Sequence, residues 1–453
     1  MAIQASGVGS GLDINNIISQ LVALERRPLN NLDTKTETIN AQISAYGSLK
    51  SKLSDFQTAM DDLSGSNSFK VFQTSSANDA IFSATADSSA VAGSYAINVA
   101  ALAERDKIAT KAFTDSNSIV GEGTLTISSG TNSFDVAINA TNSSAAGIRD
   151  AINSATDNSG VTATIVTDDA GAHLVLSSDN TGTANALKIT VAGDSDGNNT
   201  DDAGLSSLAF DTGGGVVHRP AISTAADSVV EIDGFTVTSS SNTISTALEG
   251  VAISAKSLGA STLNITRDDT AIQESVQKFA DSYNALRTEI NTQRAGELEG
   301  DNTLLIIERQ LADVLSSGTA ITGSSFSYLI DVGISVDKNG KMSVDSSAIT
   351  NTLNSDFSSF VNLFSATDEG IASRFHSLAD NWLATDGLIK DREKGLSSRI
   401  DSIDKQRGRF ESRLQQVERR LRAQFTAMDT LVSNLNATGS FLTQQLASIP
   451  ARR

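Results

Sequence analysis

The sequence predicts an α+β multidomain protein in which N- and C-terminal helices form an α-helical coiled-coil leg and the middle forms β-rich head domains. From Leu396 onward, apolar residues recur at alternating spacings of four and three, the heptad pattern of a long coiled-coil helix. Helical periodicity is lost between residues 66 and 118, and much of the stretch from 123 to 266 has the composition of short strands. Charge follows the same division, because residues 388–453 carry a net +6 whereas residues 66–387 carry −23.

Composition excludes several classes of protein. The 453 residues suffice for about three domains. There is no cysteine, and therefore no disulfide, thiolate metal site or cysteine nucleophile. No apolar run is long enough to cross a membrane, and no basic start precedes an apolar core, so we expect neither a membrane span nor a secretory signal peptide. A net charge of −19 with an acidic middle is unlike a nucleic-acid binder.

Two helices are expected in the first 65 residues. Asp13 is a good N-cap for the first helix, and Pro28 ends that helix because it disfavours the helical conformation at Arg27. The second helix carries apolar residues at spacings of three and four and stops near Gly65. The apolar face of the first helix includes Ile14, Ile17, Ile18 and Leu21.

The last sixty residues form the longest predicted helix. Because a long apolar stripe is stabilised by burial, this helix needs a partner, which the N-terminal helices can supply. We expect its inner half to pack on residues 39–63 and its outer half, from about Gln424, to find less chain nearby. The seam of the inner half consists of Leu396, Ile400, Ile403, Phe410, Leu414, Val417 and Leu421. The outer half continues with Phe425, Met428, Leu431, Leu435, Leu442 and Leu446.

The middle of the chain predicts a β-rich block with one helix. Strands are expected near 94–99, 124–128, 133–138, 161–167, 172–177 and 187–192, with a helix near 144–155. Residues 194–220 are low in complexity and predict a loop, after which strands resume near 228–238 and 251–266. If the strands on either side pair with each other, residues 119–219 are an insertion within one discontinuous domain.

Helical pattern returns at Ala271, with further helices near 302–316, 346–364 and 368–383. A β-hairpin is predicted between the helices near 302–316 and 346–364. Val336 and Met342 face the same way only if they pair, which requires a three-residue loop with Gly340 in the left-handed conformation. Four domains are therefore predicted. They comprise 1–40 with 405–453 (terminal helical segment), 41–75 with 268–404 (helical leg domain with a β-hairpin), 76–118 with 220–267 (discontinuous β-rich head domain) and 119–219 (inserted head domain).

No catalytic, metal or cofactor site is predicted. The glycine-rich opening Gly7-x-Gly9-x-Gly11 follows no strand and lacks the Lys-Ser/Thr of a phosphate loop. Asp194, Asp196 and Asn198 imitate the start of a calcium loop, but the glycine and glutamate that such a loop needs are missing. The three histidines are scattered, and neighbouring carboxylates point apart on a strand or helix, so we expect no enzyme.

Several motifs resemble the flagellar filament cap family, also called the flagellar hook-associated protein 2 family. The resemblance begins with Gly7-Val8-Gly9-Ser10-Gly11-Leu12-Asp13-Ile14 and Leu24-Glu25-Arg26-Arg27-Pro28-Leu29. It continues at Tyr283-Asn284-Ala285-Leu286, at Phe425 to Leu431 and at Leu442 to Leu446. It is strongest over 7–65 and 271–446, while residues 123–193 resemble the small insert of flagellins and hook-associated proteins.

The resemblance implies an extracellular structural protein, exported through the flagellar type III apparatus, that caps the distal filament tip and promotes flagellin polymerisation. It implies as partners flagellin, other copies in a ring that is commonly a pentamer, flagellar junction proteins and an export chaperone. Under this interpretation the filament-docking residues are Ile14, Ile17, Ile18, Leu21, Phe425, Met428, Leu431, Leu435, Leu442 and Leu446. Two alternatives stay open: another axial component such as a flagellin or junction protein, and an adhesin whose segment 119–219 binds host glycans.

Overall fold

The computed structural model describes residues 11, 13–158, 160–318 and 320–447, so Gly7, Gly9, Leu12 and the last six residues lie outside it. The chain divides into two compact units, a helical unit (Met1–Ser66 with Gln273–Arg453) and a β-rich unit (Asn67–Ile272). The helices α1 to α9 span Ile14–Glu25, Arg27–Ser64, Ala145–Ser154, Asp269–Ala295, Asn302–Ser316, Ser346–Ser355, Phe357–Ser365, Ile371–Leu383 and Leu388–Ala447.

The strands are short, and most belong to the β-rich unit. Strands β1 to β9 span Phe72–Ser76, Phe82–Ala86, Gly93–Ala101, Lys107–Ala109, Gly123–Ser129, Asn132–Ile138, Val161–Asp168, Gly171–Ser178 and Leu187–Ala192. Strands β10 to β18 span Phe210–Asp211, Val216–Val217, Ser228–Ile232, Phe235–Ser239, Thr243–Leu248, Val251–Ala255, Gly259–Arg267, Ile334–Val336 and Met342–Val344. The fold is therefore α+β, with helices at both chain ends and strands between them, as predicted.

The N-terminal helices have the predicted caps, but the predicted effect of Pro28 on Arg27 is wrong, because α1 ends at Glu25 and Arg27 is the first residue of α2. The carboxylate of Asp13 accepts a hydrogen bond from the backbone N–H of Asn16 (3.0 Å), which caps α1. Helix α2 follows directly after Arg26. It tolerates Pro28 because N–H groups in the first turn of a helix have no acceptor within the helix, so a proline there loses no hydrogen bond. It then runs for 38 residues to Ser64, and Gly65 is its C-cap.

An aromatic cluster holds the helical unit together. The ring of Phe375 on α8 lies 5.4 Å from that of Phe56 on α2, and 6.1 Å and 6.4 Å from those of Phe279 and Tyr283 on α4. All four side chains are buried. Because tilted and edge-on contacts suit aromatic rings, this cluster fixes α2, α4 and α8 against one another. Burial also raises the pKa of the Tyr283 hydroxyl.

Helix α9 packs on α8, then on α2 and finally on α1. A groove near its first third is lined by Ile39 of α2 and Ile403 of α9, and Arg407 forms an ion pair with Asp33 (3.4 Å). The helix therefore runs antiparallel to α2. Its inner half meets residues near 33–46, a stretch only partly inside the predicted 39–63, because α8 covers the later part of α2.

The hairpin β17–β18 has the predicted register. Val336 pairs with Met342, and Asp337 N–H donates to the carbonyl of Lys341 (2.9 Å), which leaves a loop of three residues. Gly340 has φ +79°, the left-handed conformation that glycine adopts without strain. The side chain of Asp337 accepts N–H groups of Asn339 and Lys341, both at 2.8 Å, and thereby stabilises the loop.

We expect Gly340→Ala to destabilise the helical unit by about 1–2 kcal/mol, because alanine strains at positive φ. Its Cβ atom would also lie 2.5 Å from Nη2 of Arg287. The matched control is Gly395→Ala in α9, where a Cβ atom meets nothing within 4 Å. Alanine there should stabilise the helix by about 0.5–1 kcal/mol. Urea unfolding followed by helical circular dichroism measures both changes in the free energy of unfolding. If both variants were destabilised, or both stabilised, this prediction would be wrong.

A sandwich of two sheets forms the first core of the β-rich unit. One sheet has the order β1-β16-β3-β12-β13 and the other β14-β15-β2. The buried residues between them include Phe82, Ile97, Val230 and Leu263. Strands before and after the insert pair directly, β3 with β12 and β16, so the chain segments on either side of the insert contribute to one sheet.

The inserted segment has a core of its own. Its sheets have the orders β11-β10-β9-β5-β6 and β4-β8-β7, and α3 contributes Ile148 and Ile152 to the buried interior. Strands β5 to β9 and α3 lie where the sequence predicts them. The predicted boundary at residue 119 is not where this core begins, since Ile108 on β4 and Phe113 belong to it.

The structure also corrects predictions of secondary structure in four regions. Residues 194–220 are not simply a loop, because Leu205, Leu208 and Phe210 are buried in the inserted core and Phe210 pairs with Ile189. The stretch predicted as a strand at 228–238 is the hairpin β12–β13, which turns at Asp233 and Gly234. The stretch predicted as a strand at 251–266 is likewise two strands, β15 and β16, which belong to different sheets. The single helix predicted at 346–364 is α6 and α7. The carboxylate of Asp356 caps the N-terminus of α7, so the helix is interrupted at this residue.

Candidate functional site: the terminal helices

An apolar stripe runs along the last third of α9. Leu431, Leu435, Leu442 and Leu446 are 60%, 61%, 54% and 67% exposed. Met428 belongs to the same stripe and is also exposed, while Phe425 at its start is half-buried. Spacings of three, four and seven keep these side chains on one face of the helix. Large apolar side chains on one face are stabilised by burial, so the stripe is a candidate docking surface.

The predicted docking residues of α1 occupy two environments. Ile14 and Ile18 are buried within the helical unit, and Ile17 is half-buried. Leu21 is 39% exposed. On α9, Arg422 donates to the side-chain oxygen of Asn15 (3.2 Å), which places the start of α1 beside this part of the helix. Of the four residues, Leu21 alone presents an exposed apolar side chain.

Two exposed apolar residues are missing from the predicted docking set. Leu24 lies three residues after Leu21, so both side chains fall on one side of α1, and Leu24 is exposed. Phe441 is 60% exposed but lies beside the stripe, one position before Leu442. The spacing to Leu21 could have identified Leu24, whereas no heptad signal points to Phe441.

The seam of α9 faces its own chain. Leu396, Ile403 and Leu414 are buried, and the other predicted seam residues, Ile400, Phe410, Val417 and Leu421, are half-buried. At a polar position of this seam, Arg407 contacts both Asp33 of α2 and Glu411 one turn along α9 (3.4 Å each). The inner half of α9 thus supports the unit, and its outer half is left exposed.

A polar node ties α9 to α2 and α5. The carboxylate of Asp301 caps α5 through Thr303 N–H (2.9 Å) and accepts the buried hydroxyl of Tyr46 (2.7 Å) and Nε of Arg392 (2.9 Å). Burial opposes the charge on Asp301, but these hydrogen bonds outweigh it and hold the pKa of the carboxyl below its ordinary value. Burial raises the pKa of Tyr46 to about 12, with Asp301 adding to the effect.

Several titratable groups discussed in the sequence analysis have structural partners, whereas the buried Nε2 of His218 has no hydrogen-bond partner in the described part of the chain. Asp194 accepts the backbone N–H of Ser206 (2.6 Å), which fastens the acidic loop to the inserted core. His173 lies 3.4 Å from Asp168 and His376 lies 3.0 Å from Asp61. Among the described residues, no three metal-binding side chains come together, and no helix in that part of the chain is long and apolar enough to cross a membrane.

Three family profiles match the sequence. The N-terminal profile of flagellar hook-associated protein 2 matches residues 10–106, and the C-terminal profile of the same protein matches residues 225–437. Between them, the flagellin hook IN motif matches residues 124–180, within the inserted segment.

Relatives align over almost their whole length. The B-type flagellar hook-associated protein 2 of Pseudomonas aeruginosa is 31% identical over 99% of this chain and 98% of its own. The flagellar hook-associated protein 2 of Escherichia coli K12 is 32% identical over 98% of both chains. The D1-D2-D3 domains of the flagellar cap protein FliD from Escherichia coli superpose with a TM-score of 0.67 at 33% identity. The superposition covers 78% of this chain and 99% of that one.

Helical termini, a β-rich middle and an exposed apolar stripe define a structural assembly protein. Together with the comparisons, they place the chain in the flagellar hook-associated protein 2 family, whose members are flagellar cap proteins.

Proposed function

We propose that this chain caps the distal tip of the bacterial flagellar filament, retains exported flagellin beneath its head domains and promotes flagellin folding and polymerisation. The observation that carries the proposal is the exposed stripe Met428, Leu431, Leu435, Leu442 and Leu446 on a helix whose inner half is held by its own unit. A helix of this kind binds by laying its apolar face into a groove or against partner helices. The filament end, built from flagellin, is the partner we assign to it.

The remaining parts of the proposal concern partners and location. The chain reaches the filament tip through the flagellar type III export apparatus, with an export chaperone, and there it forms a ring of copies, commonly five, beyond the flagellar junction proteins. The exposed Leu21 of α1 and the half-buried Phe425 extend the docking surface. Ile14, Ile17 and Ile18 take part by holding α1 in place, because two of them are buried and the third is half-buried.

The adhesin alternative finds little support in the inserted segment. Sugar-binding surfaces commonly use exposed aromatic rings, which stack on the apolar faces of sugars. The aromatic residues between 107 and 221 are Phe113, Phe134 and Phe210, and all three are buried. A flagellin-like or junction-protein role is not favoured, because the N- and C-terminal profiles are those of hook-associated protein 2.

The test is complementation of a bacterium that lacks its own filament cap protein. We expect this chain to restore long filaments and to reduce the flagellin released into the medium. An antibody against the β-rich unit should label the distal filament tip in electron micrographs. Label distributed along the filament, with flagellin still lost to the medium, would favour an axial subunit over a cap.

A further inference from the structure

The helical unit contains two segments of opposite charge. Residues 273–387 carry 7 basic and 16 acidic side chains, whereas residues 388–453 carry 13 basic and 7 acidic ones. The acidic segment 273–387 and the basic helix α9 thus belong to one unit. Within a chain they are joined by the ion pair between Asp301 and Arg392, but most of the basic charge of α9 lies farther along the helix.

Four of these cations form a row on the solvent-facing side of α9. Lys405, Arg409, Arg413 and Arg420 are all exposed. Successive spacings of four, four and seven place them along one side of the helix, over about 22 Å. The buried seam residues Ile403 and Leu414 lie on the other side. We call these four residues the basic row.

The basic row lacks counter-charges of its own. Elsewhere on α9, Arg407 contacts Asp33 and Glu411, and Arg422 contacts Glu418 (2.9 Å). In the described part of the chain, no carboxylate lies within ion-pair distance of any member of the row. Gly408 and Ser412, which have little or no side chain, leave a shallow channel between Lys405, Arg409 and Arg413.

The acidic side of the unit offers a groove. It is lined by residues of α5, of α8 and of the turn before α8, among them Asp313, Leu378 and Asp368, and has a volume of about 470 Å³. Both carboxylates are exposed, and no cation in the described residues lies within ion-pair distance of either. Arg374 also lines the groove, and its Nη2 donates to Oγ of Ser317 (2.6 Å), a residue outside the lining. We call this the acidic groove.

We propose that the basic row of one copy docks on the acidic groove of a second copy. The two surfaces have opposite charge, are exposed on the same unit and do not meet within a chain. A contact between two different surfaces of identical copies is heterologous, and such contacts close into a ring when the rotation between copies permits. This inference rests on the proposed ring assembly and names the surfaces that would join neighbouring copies.

A second copy fits the basic row better than a nucleic acid does. The carboxylates of Asp404, Glu411 and Glu418 lie on the adjoining flank of α9, at spacings of seven, and would repel a phosphate backbone. The chain as a whole is acidic, with a net charge of −19. This net charge opposes long-range attraction to a polyanion and to a second copy alike, so the choice between them rests on the flanking carboxylates of α9 and on the two isolated carboxylates that the acidic groove offers at short range.

The test uses two charge variants of the full chain in sedimentation velocity across a concentration series. The row variant carries Arg409→Glu and Arg413→Glu. The groove variant carries Asp313→Lys and Asp368→Asn, since asparagine tolerates the positive φ of +61° at position 368. We expect each variant alone to self-associate at least about tenfold more weakly than the wild type, and added salt to weaken the wild type.

Mixing the two variants provides the decisive measurement. In the mixture, the unchanged basic row of the groove variant can bind the unchanged acidic groove of the row variant. The altered row and the altered groove also carry opposite charges, so association should return. The matched control for the row variant is Lys278→Glu with Lys338→Glu. It changes the net charge by the same amount at exposed sites outside both surfaces and should associate like the wild type. Circular dichroism checks that every variant is folded.

The outcomes separate this inference from the proposed function. A wild type that associates while both variants match it overturns the docking inference and leaves the cap function standing. Weakening of the row variant without recovery on mixing overturns the acidic groove as its partner. A wild type that stays monomeric both in solution and at the filament tip overturns the ring assembly together with this inference.

Discussion

A chain carrying Leu431→Asp and Leu435→Asp should fold normally and fail to cap filaments. Both leucines are about three-fifths exposed in the isolated chain (60% and 61%), so the substitutions remove little buried surface and should hardly change the free energy of unfolding. In the docked state the same side chains are expected to be buried. A buried, unpaired carboxylate costs several kcal/mol, and two of them should abolish docking.

The matched control places the same two charges on the opposite side of the helix. Ser433 and Ser440 are exposed, and Ser433 lies two residues from both Leu431 and Leu435, about 200° around the helix. Ser433→Asp with Ser440→Asp should therefore retain capping. The measurements are filament length, flagellin in the medium and tip labelling in complemented cells. Long, tip-labelled filaments with the leucine variant would refute the role of the stripe.

Much of the fold is predictable because its signals are local. Helix α5 has the predicted bounds of 302–316, since Asp301 supplies an N-cap and the apolar spacing is regular. The register of β17–β18 follows from the alternation of Val336 and Met342 together with the conformation that Gly340 permits. Strands β5 to β9 were found from short apolar alternations between glycine-rich turns.

The missed elements depend on contacts between distant residues or on overlooked turn signals. Leu205, Leu208 and Phe210 show no periodicity, and their burial results from packing on β9, which no local pattern reveals. The Asp233-Gly234 turn, by contrast, is a strong hairpin signal that the sequence does contain. Asp356, an N-cap candidate three residues before Ser359, likewise marks the break between α6 and α7.

The candidate site is predictable only as far as its signals are local. Heptad spacing identifies which residues of α9 are apolar and share a face, but it does not identify the partner of each segment. The burial of Ile14 and Ile18 shows that much of the apolar face of α1 packs within its own unit. The sequence does not distinguish the basic row, because charged flanks are usual for coiled coils and only the three-dimensional structure shows which cations have counter-charges.

Removal of the Asp301 carboxylate should destabilise the helical unit more than any substitution on its surface. Asp301→Ala removes the cap of α5 and leaves the buried hydroxyl of Tyr46 and the guanidinium of Arg392 without their acceptor. Loss of a cap costs about 1 kcal/mol, and a buried unsatisfied donor about 1–3 kcal/mol. We therefore expect a loss of about 2–4 kcal/mol in urea unfolding. Asp55→Asn, at an exposed ion pair with Lys52 (3.1 Å), should change stability by less than about 0.5 kcal/mol.

The same node predicts how stability depends on pH. The pKa of Asp301 is lower in the folded state than its ordinary value of 3.8, so its contribution is present above that pH and is lost as the pH falls through and below it. The pKa of Tyr46 is raised from 10.0 to about 12, so its contribution is present below pH 10 and is lost as the pH rises toward 12. Asp301→Asn should flatten the acid side of the stability profile, whereas Tyr46→Phe should flatten the alkaline side. If Asp301→Asn left the acid side as steep as in the wild type, other carboxylates would control it, and the node would lose its assigned role in joining α9 to α2 and α5.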